Sequence, residues 1–369
     1  MNLLLINPKH LFGICTLTLL LYVTSFSSSA EPYLAYKNNL KCIACHVNPN
    51  GGGLRTDFGR VFGQTVLPAQ AIAYDSNTLA KITQFLTIGS DARFNAMVQE
   101  DDLANTERTF ELESTMLYLN IAVPNSGLSF YIDQQVAPGS AINREAFAMY
   151  KFDTGHYIKA GKLFVPYGMR IQDDSAFIRQ ATGMNFDNSD NGVDFALDYS
   201  NTTVNLFITN GTSQSTNDDN DFLYGIRGEH LMGNYRIGAT AALNDGDQQT
   251  TMLNVYGGMH WGDFTFLAEA DWLILEQANS LTNEDIEQLV TLVEVNYQWK
   301  KGVNIKLTAE YFDPDNDVSE DEQTRYSLVA EYTPISHLQL RFGLRVKSDI
   351  PQKPQQNYDV VFVQSHFYF

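Results

Sequence analysis

The residues with the most chemistry in this sequence are Cys42-Ile43-Ala44-Cys45-His46. Two thiols three positions apart, followed at once by a His, form C-x-x-C-H, the attachment pattern of a c-type haem. Each thiol can form a thioether to a porphyrin vinyl group, and the His can then ligate the iron. Cys42 and Cys45 are therefore the expected attachment points of one covalent haem c, and His46 its proximal ligand. A redox dithiol would sit in a βαβ setting, and no such pattern surrounds these residues. A zinc site would need a second ligand pair, and none lies nearby in the sequence.

The iron has a second axial position. Between His46 and Met97 the chain contains neither His nor Met, so a conventional partner must come from further along. His156, His260 and His366 are the candidate distal ligands. Each lies at the end of an alternating segment, and parity turns His260 and His366 inward. Met97 and Met149 share that parity. The plain alternative for each His is a polar side chain at a rim. Arg55, and with it Arg60, is a candidate partner for the haem propionates; the alternative is a solvated surface charge.

Residues 31–80 are the expected haem module. Glu31-Pro32-Tyr33 opens a short helix, with Pro in its first turn, running to about Leu40. Gly51-Gly52-Gly53 allows a sharp turn or a close approach of backbone to a flat ring. Leu54, Phe58, Val61 and Phe62 recur at helical spacing and predict a helix that packs on the haem face. So small a module cannot build a core from its own side chains, so a haem or a surrounding wall must supply apolar surface.

Residues 1–30 read as a signal peptide. Lys9 and His10 precede an apolar run over 11–22, and Ser27-Ser28-Ser29-Ala30 supplies small residues before Glu31. The run is too short for a transmembrane helix. Cys15 lies within it.

Residues 81–369 change to a period of two. Sixteen such segments follow one another between turns. In 263–275, Phe264, Phe266, Ala268, Ala270, Trp272 and Ile274 share one face; Thr265, Glu269 and Asp271 share the other. In 338–347, Leu338 to Val346 alternate with Gln339, Arg341, Arg345 and Lys347. One apolar and one watery face is the pattern of a transmembrane barrel. The expected fold is an all-β barrel of about sixteen antiparallel strands with a small N-terminal α-helical haem module. Connections after even strands are short, and those after odd strands, such as 166–190, are longer and polar. Bacterial barrels place short turns in the periplasm. The haem module is thus expected to face the periplasm or to lie inside the lumen as a plug. The outer loops carry acids, Asp173, Asp174, Asp313 and Asp315 among them, expected as a solvated surface or one that concentrates cations. With 43 acidic against 24 basic residues, the chain is a poor match to nucleic acid.

The C-x-x-C-H near the expected mature N-terminus, the sixteen segments and the terminal His366-Phe367-Tyr368-Phe369 together resemble the outer-membrane cytochrome–porin fusions. Their best-known members are bacterial ferrous-iron oxidases. Gly161-Lys162-Leu163-Phe164-Val165-Pro166-Tyr167-Gly168-Met169-Arg170 also resembles the phosphate-selective porins. The resemblance implies electron transfer across the outer membrane through one haem. Its partners would be a periplasmic electron carrier, an extracellular donor or acceptor such as Fe(II), and outer-membrane lipid. The alternative is a diffusion porin for small solutes or anions, with the haem module as gate or redox sensor; lumen-facing Arg341, Arg345 and Lys347 speak for it.

Overall fold

The computed structural model describes residues 31–72, 83, 85–217, 219–246, 248–279, 282–348 and 356–369. The expected leader and most of the stretch joining the N-terminal segment to the first strand lie outside these residues. Sixteen antiparallel strands, β1 (Leu86–Asp101) to β16 (Tyr358–Tyr368), form a closed barrel. Each strand pairs with its neighbours in the chain, and β1 closes on β16 with Asp91 opposite Tyr368 and Arg93 opposite His366. Closure leaves no sheet edge unpaired.

The period-two pattern is the reason this chain forms a wall. Outside, Val255 is 62% exposed and Leu307 54%. Inside, Asn254, Glu269, Asp271, Lys306 and Glu331 are buried. The polarity is inverted relative to a water-soluble protein, as expected of a sheet whose outer face meets hydrocarbon. Among the described residues no helix is long and apolar enough to cross a membrane; spanning falls to the strands, whose backbone groups are satisfied in the ladder.

Turns after even strands are short throughout, as at 233–234 and 301–302. The expectation of longer connections after odd strands holds for 164–189 and 210–222 but fails at 102–105 and 138–141. At the first of these, the Asp101 carboxylate accepts from the backbone N–H of Leu103 and Asn105, which folds the chain back at once.

Residues 31–72 lie inside the lumen, in the half that carries the short turns. They form three short helices: α1 (Pro32–Lys37), α2 (Cys42–Cys45) and α3 (Asp57–Thr65). The wall supplies the missing core. Lys306 Nζ lies 2.8 Å from Glu31 and 3.5 Å from Glu331. Tyr33 donates to Glu331, and Asn48 donates to both carboxylate oxygens of Glu145. Lys41 pairs with Asp198 at 2.6 Å. At the rim, Ser336 Oγ donates to the Gln64 carbonyl, Tyr368 Oη donates to that of Gly63, and Ala69 N–H donates to that of Thr333.

From the opposite end, residues 164–189 between β5 (Tyr157–Leu163) and β6 (Asp190–Asp198) fold into the lumen. They carry the short helix α4 (Phe177–Gln180), whose Phe177 and Ile178 are buried against β11 (Phe264–Leu275), β12 (Ile286–Lys300) and β13 (Val303–Asp313). The acids of this loop are not a solvated surface. Asp173 binds Arg345 and lies 3.6 Å from Arg325, while Asp174 faces Arg179 at 3.7 Å. The loop is apolar enough to leave water, and its acids follow it inward, Asp173 to cations on the wall and Asp174 to Arg179 of the loop itself.

Candidate functional site

The N-terminal segment and the inward loop meet across one cavity. The cavity holds about 1490 Å³ of space outside atoms, counting its opening to solvent. Cys42, Cys45 and His46 all border it. The geometry that puts them there begins with glycines. Gly51, Gly52 and Gly53 all have positive φ, at 89°, 74° and 62°, so the chain after His46 turns through three left-handed residues in succession. The turn brings Leu54 C=O onto the Val47 N–H at 2.9 Å. A Cβ at Gly59 would lie 2.1 Å from the Cys45 carbonyl, so α3 packs directly on the back of α2. That contact leaves the thiol-bearing side of α2 facing the cavity.

Both thiols are free. Burial, with Glu229 beyond it, pushes the Cys42 thiol up, and burial pushes Cys45 up as well. Thiols held protonated are poor nucleophiles for disulfide exchange. His46 is buried, and its Nδ1 has no hydrogen-bond partner. Burial, reinforced by the cations of Arg55 and Arg170, pushes it down to about 3. A neutral imidazole keeps a lone pair for a metal.

The residues fit a covalent haem. Two thiols and an imidazole converge on one enclosed space. Leu40, Phe62, Leu67 and Phe164 give that space apolar walls, and Arg55, Arg170, Arg227 and Arg236 give it cations suited to propionates. Arg170 Nε and Nη1 are buried without partners, the state expected of donors aimed at an absent acceptor. Arg55 also stacks over the Tyr368 ring at 4.3 Å. Arg60 does not border this cavity; it donates to Asp57 within its own helix at 2.6 Å.

The helix predicted from Leu54, Phe58, Val61 and Phe62 forms, but it does not pack on the cavity as one face. Phe62 borders it, whereas Phe58 and Val61 are 50% and 52% exposed at the short-turn mouth. Leu54 is buried against Tyr131 and Phe147 instead. Its N–H is held by Tyr131 Oη at 3.1 Å, which anchors residue 54 to the wall ahead of the helix.

The expected distal histidines lie elsewhere. His156 bonds the Asp198 backbone at the rim, and His260 Nδ1 lies 3.0 Å from the Phe264 carbonyl oxygen. His366 is buried between Arg93 and Gln339. None of the three borders the cavity that holds His46. Met97 lines a second, more polar space, and Met149 packs in the cluster around Tyr131. The side chains that do reach the cavity from the wall side include Met169, Arg170, Arg179 and Met184, all on the inward loop. Parity along strands could not find them, because they are not on strands. The available signal was the apolar content of that connection, with Phe164, Val165, Tyr167, Ile171, Phe177 and Ile178 in a stretch expected to face water.

The second space holds about 2200 Å³, counting its opening to solvent, and runs along the inner faces of β1, β2 (Thr106–Ala122) and β16. Arg93, Arg144, Arg341 and Arg345 line it together with Asp91 and Glu113. His46, Arg55 and Arg170 border both spaces.

A closed sixteen-strand antiparallel barrel with a polar interior and an inward loop after its fifth strand is a porin-like barrel. The chain is similar in fold to OmpT, an outer-membrane protein of Vibrio cholerae, with a TM-score of 0.61 at 13% identity, over 79% of this chain and 99% of that one. It is similar to an anion-selective porin from Comamonas acidovorans, with a TM-score of 0.61 at 9% identity, over 77% of this chain and 99% of that one. Salmonella typhi OmpF gives a TM-score of 0.58 at 11% identity, over 77% and 97% of the two chains. No protein-family model and no curated protein sequence matches the chain.

Proposed function

We propose that this chain is an outer-membrane channel of the porin kind, with a haem-bearing segment in its lumen as a redox-responsive gate. The observation that carries this reading is the double constriction. The polar space along β1, β2 and β16 meets the cavity of Cys42, Cys45 and His46 where residues 31–72 and the inward loop come together. Six arginines and seven carboxylates line that space, a charged and nearly balanced wall suited to small hydrophilic solutes. Cys42 and Cys45 would hold the haem, His46 would ligate its iron, and Arg55 and Arg170 would pair with its propionates. The group would supply a one-electron centre. The segment's own residues hold it in place through Glu31, Lys41 and Asn48. Planar-bilayer conductance of the purified protein, oxidised and then reduced, tests this. Conductance that changes with redox state is expected; no conductance in either state overturns the gate.

A second reading is electron transfer across the outer membrane, with periplasmic and extracellular partners and Fe(II) as a donor. The enclosed, cation-rich cavity at C-x-x-C-H favours it, because a buried haem walled off from lipid suits an electron carrier better than a pore. Adding Fe²⁺ to the oxidised protein while following its visible spectrum tests it. Reduction by iron, with no conductance, supports a conduit; reduction by dithionite alone removes iron as the donor.

A further inference from the structure

We infer that Met184, on the inward barrel loop, supplies the second axial ligand of the iron. This rests on the haem attachment proposed above. His46 is the sole His bordering the cavity among the described residues, so a second nitrogen from imidazole is not at hand. Among other side chains able to bind iron, Lys41 is held by Asp198 and by backbone carbonyls, Tyr256 donates to Glu229 and Tyr157 accepts from Asn205. The hydroxyls of Tyr36 and Tyr167 are unpaired, but burial pushes both phenols up, away from the phenolate that iron needs. Two thioethers remain at the cavity, Met169 and Met184. Sulfur of this kind is a soft ligand suited to haem iron opposite His.

The two methionines differ in freedom. Met169 is 5% exposed within the apolar cluster of the inward loop, and its N–H is fixed on Glu269 at 2.8 Å. Its side chain is committed to packing. Met184 is only partly buried and borders two spaces, the cavity of His46 and a smaller one beneath the loop. It packs on the edge of the cluster that holds Met169, with open space beside it. Its backbone is nevertheless set. Gly183 turns through a φ of 71°, its carbonyl accepts from Asn188 Nδ2 at 3.1 Å, and the Phe186 N–H is held by Asp174 at 2.7 Å. A thioether at the edge of a cluster, on a fixed backbone and beside open space, is suited to ligation; a gap-filling Met would be packed on all sides. The N-terminal segment would thus bring one axial ligand and the barrel the other.

The test is spectroscopic, on the full-length haem protein purified from outer membranes. Wild type is expected to show the red charge-transfer band of a ferric thioether–imidazole centre and no binding of carbon monoxide when reduced. M184A is expected to lose that band, to bind carbon monoxide, and to shift to a lower reduction potential. M184H should stay low-spin without the band. M169A should keep the wild-type band. An M184A spectrum identical to wild type, or loss of the band in M169A alone, overturns the assignment. Heat-modifiable gel migration checks that the variants hold a folded barrel. Should M184A not fold, near-infrared magnetic circular dichroism of wild type decides, because a centre without a thioether signature overturns the assignment. A wild-type protein with no haem absorbance sinks the attachment itself and this inference with it, an outcome distinct from a haem with other ligands.

Discussion

Replacing Lys306 by Met puts the docking of the N-terminal segment to a quantitative test. Lys306 Nζ lies 2.8 Å from Glu31, 3.5 Å from Glu331 and 3.8 Å from Glu294, all of them buried. Methionine keeps the aliphatic stem and removes the charge, so the change strands three carboxylates rather than opening a cavity. Breaking a buried pair in this way costs about 3–5 kcal/mol. Arg341 remains within 3.4 Å of Glu331 and 3.8 Å of Glu31, which favours the lower end, about 3 kcal/mol. That is roughly a hundredfold in the ratio of docked to released segment. Limited proteolysis across residues 31–72 reads the ratio directly, and bilayer conductance reads its consequence for the lumen. K306M should be cut about a hundredfold faster when cleavage samples the released state, and its conductance should show added open events. K306M/E31Q should recover part of the loss, because it strands one carboxylate fewer and the two sites are coupled. Equal protection in wild type and K306M would refute the reasoning: the ion network would then be incidental to docking, and the gate would lose its hinge.

Four further outcomes are expected. G53A should weaken docking by about 2–3 kcal/mol: the residue has a φ of 62°, and its Cβ would lie 1.9 Å from Tyr131 Oη. Y131F, which loses only the bond to Leu54 N–H, should cost about 1 kcal/mol, and protease protection of the segment in urea compares the two. C42S/C45S should abolish haem absorbance while heat-modifiable migration shows an intact barrel, because both cysteines lie on the luminal segment outside the strands and neither forms a disulfide. R55Q should lower the reduction potential in a potentiometric titration, since a partly buried cation beside the proposed haem would favour the state with one more electron; an unchanged potential removes Arg55 as a haem neighbour.

The barrel was legible because a strand whose two sides meet lipid and lumen must alternate, and alternation survives in a single sequence. Residues such as Phe342 and Leu344 outside, with Gln339 between the wall and His366, follow it closely. The C-x-x-C-H pattern and the three glycines were legible for a similar reason: each demands particular residue types at fixed spacing. What the sequence concealed was three-dimensional convergence. Parity tells that His366 points inward, but the lumen has more than one compartment. Arg93 and Gln339 claim His366 outside the cavity that the thiols border. Phe58 and Val61 have the spacing of a buried helical face, yet the helix lies at the mouth of the barrel, where that face is left open. The loop methionines were hidden because a connection between strands has no period, and only its apolar content betrays that it leaves the surface.

The position of the N-terminal segment has a consequence for the order of assembly. Residues 31–72 leave the ribosome before any strand, yet their partners lie at the other end of the chain. Tyr33 meets Glu331 across 298 residues, and Tyr368 meets Gly63 across 305. Such separations make contacts late events. Asp198, Lys306, Glu331, Thr333 and Tyr368 surround the segment from many directions, so the seat for it exists only once β16 has met β1. Until then Cys42 and Cys45 lie on a free tether, open to whatever machinery attaches a cofactor. Afterwards both are walled in. For the haem proposed above, the barrel would work as a clock: the interval between export of the segment and closure of the last strand pair would be the time available for the two thiols to react.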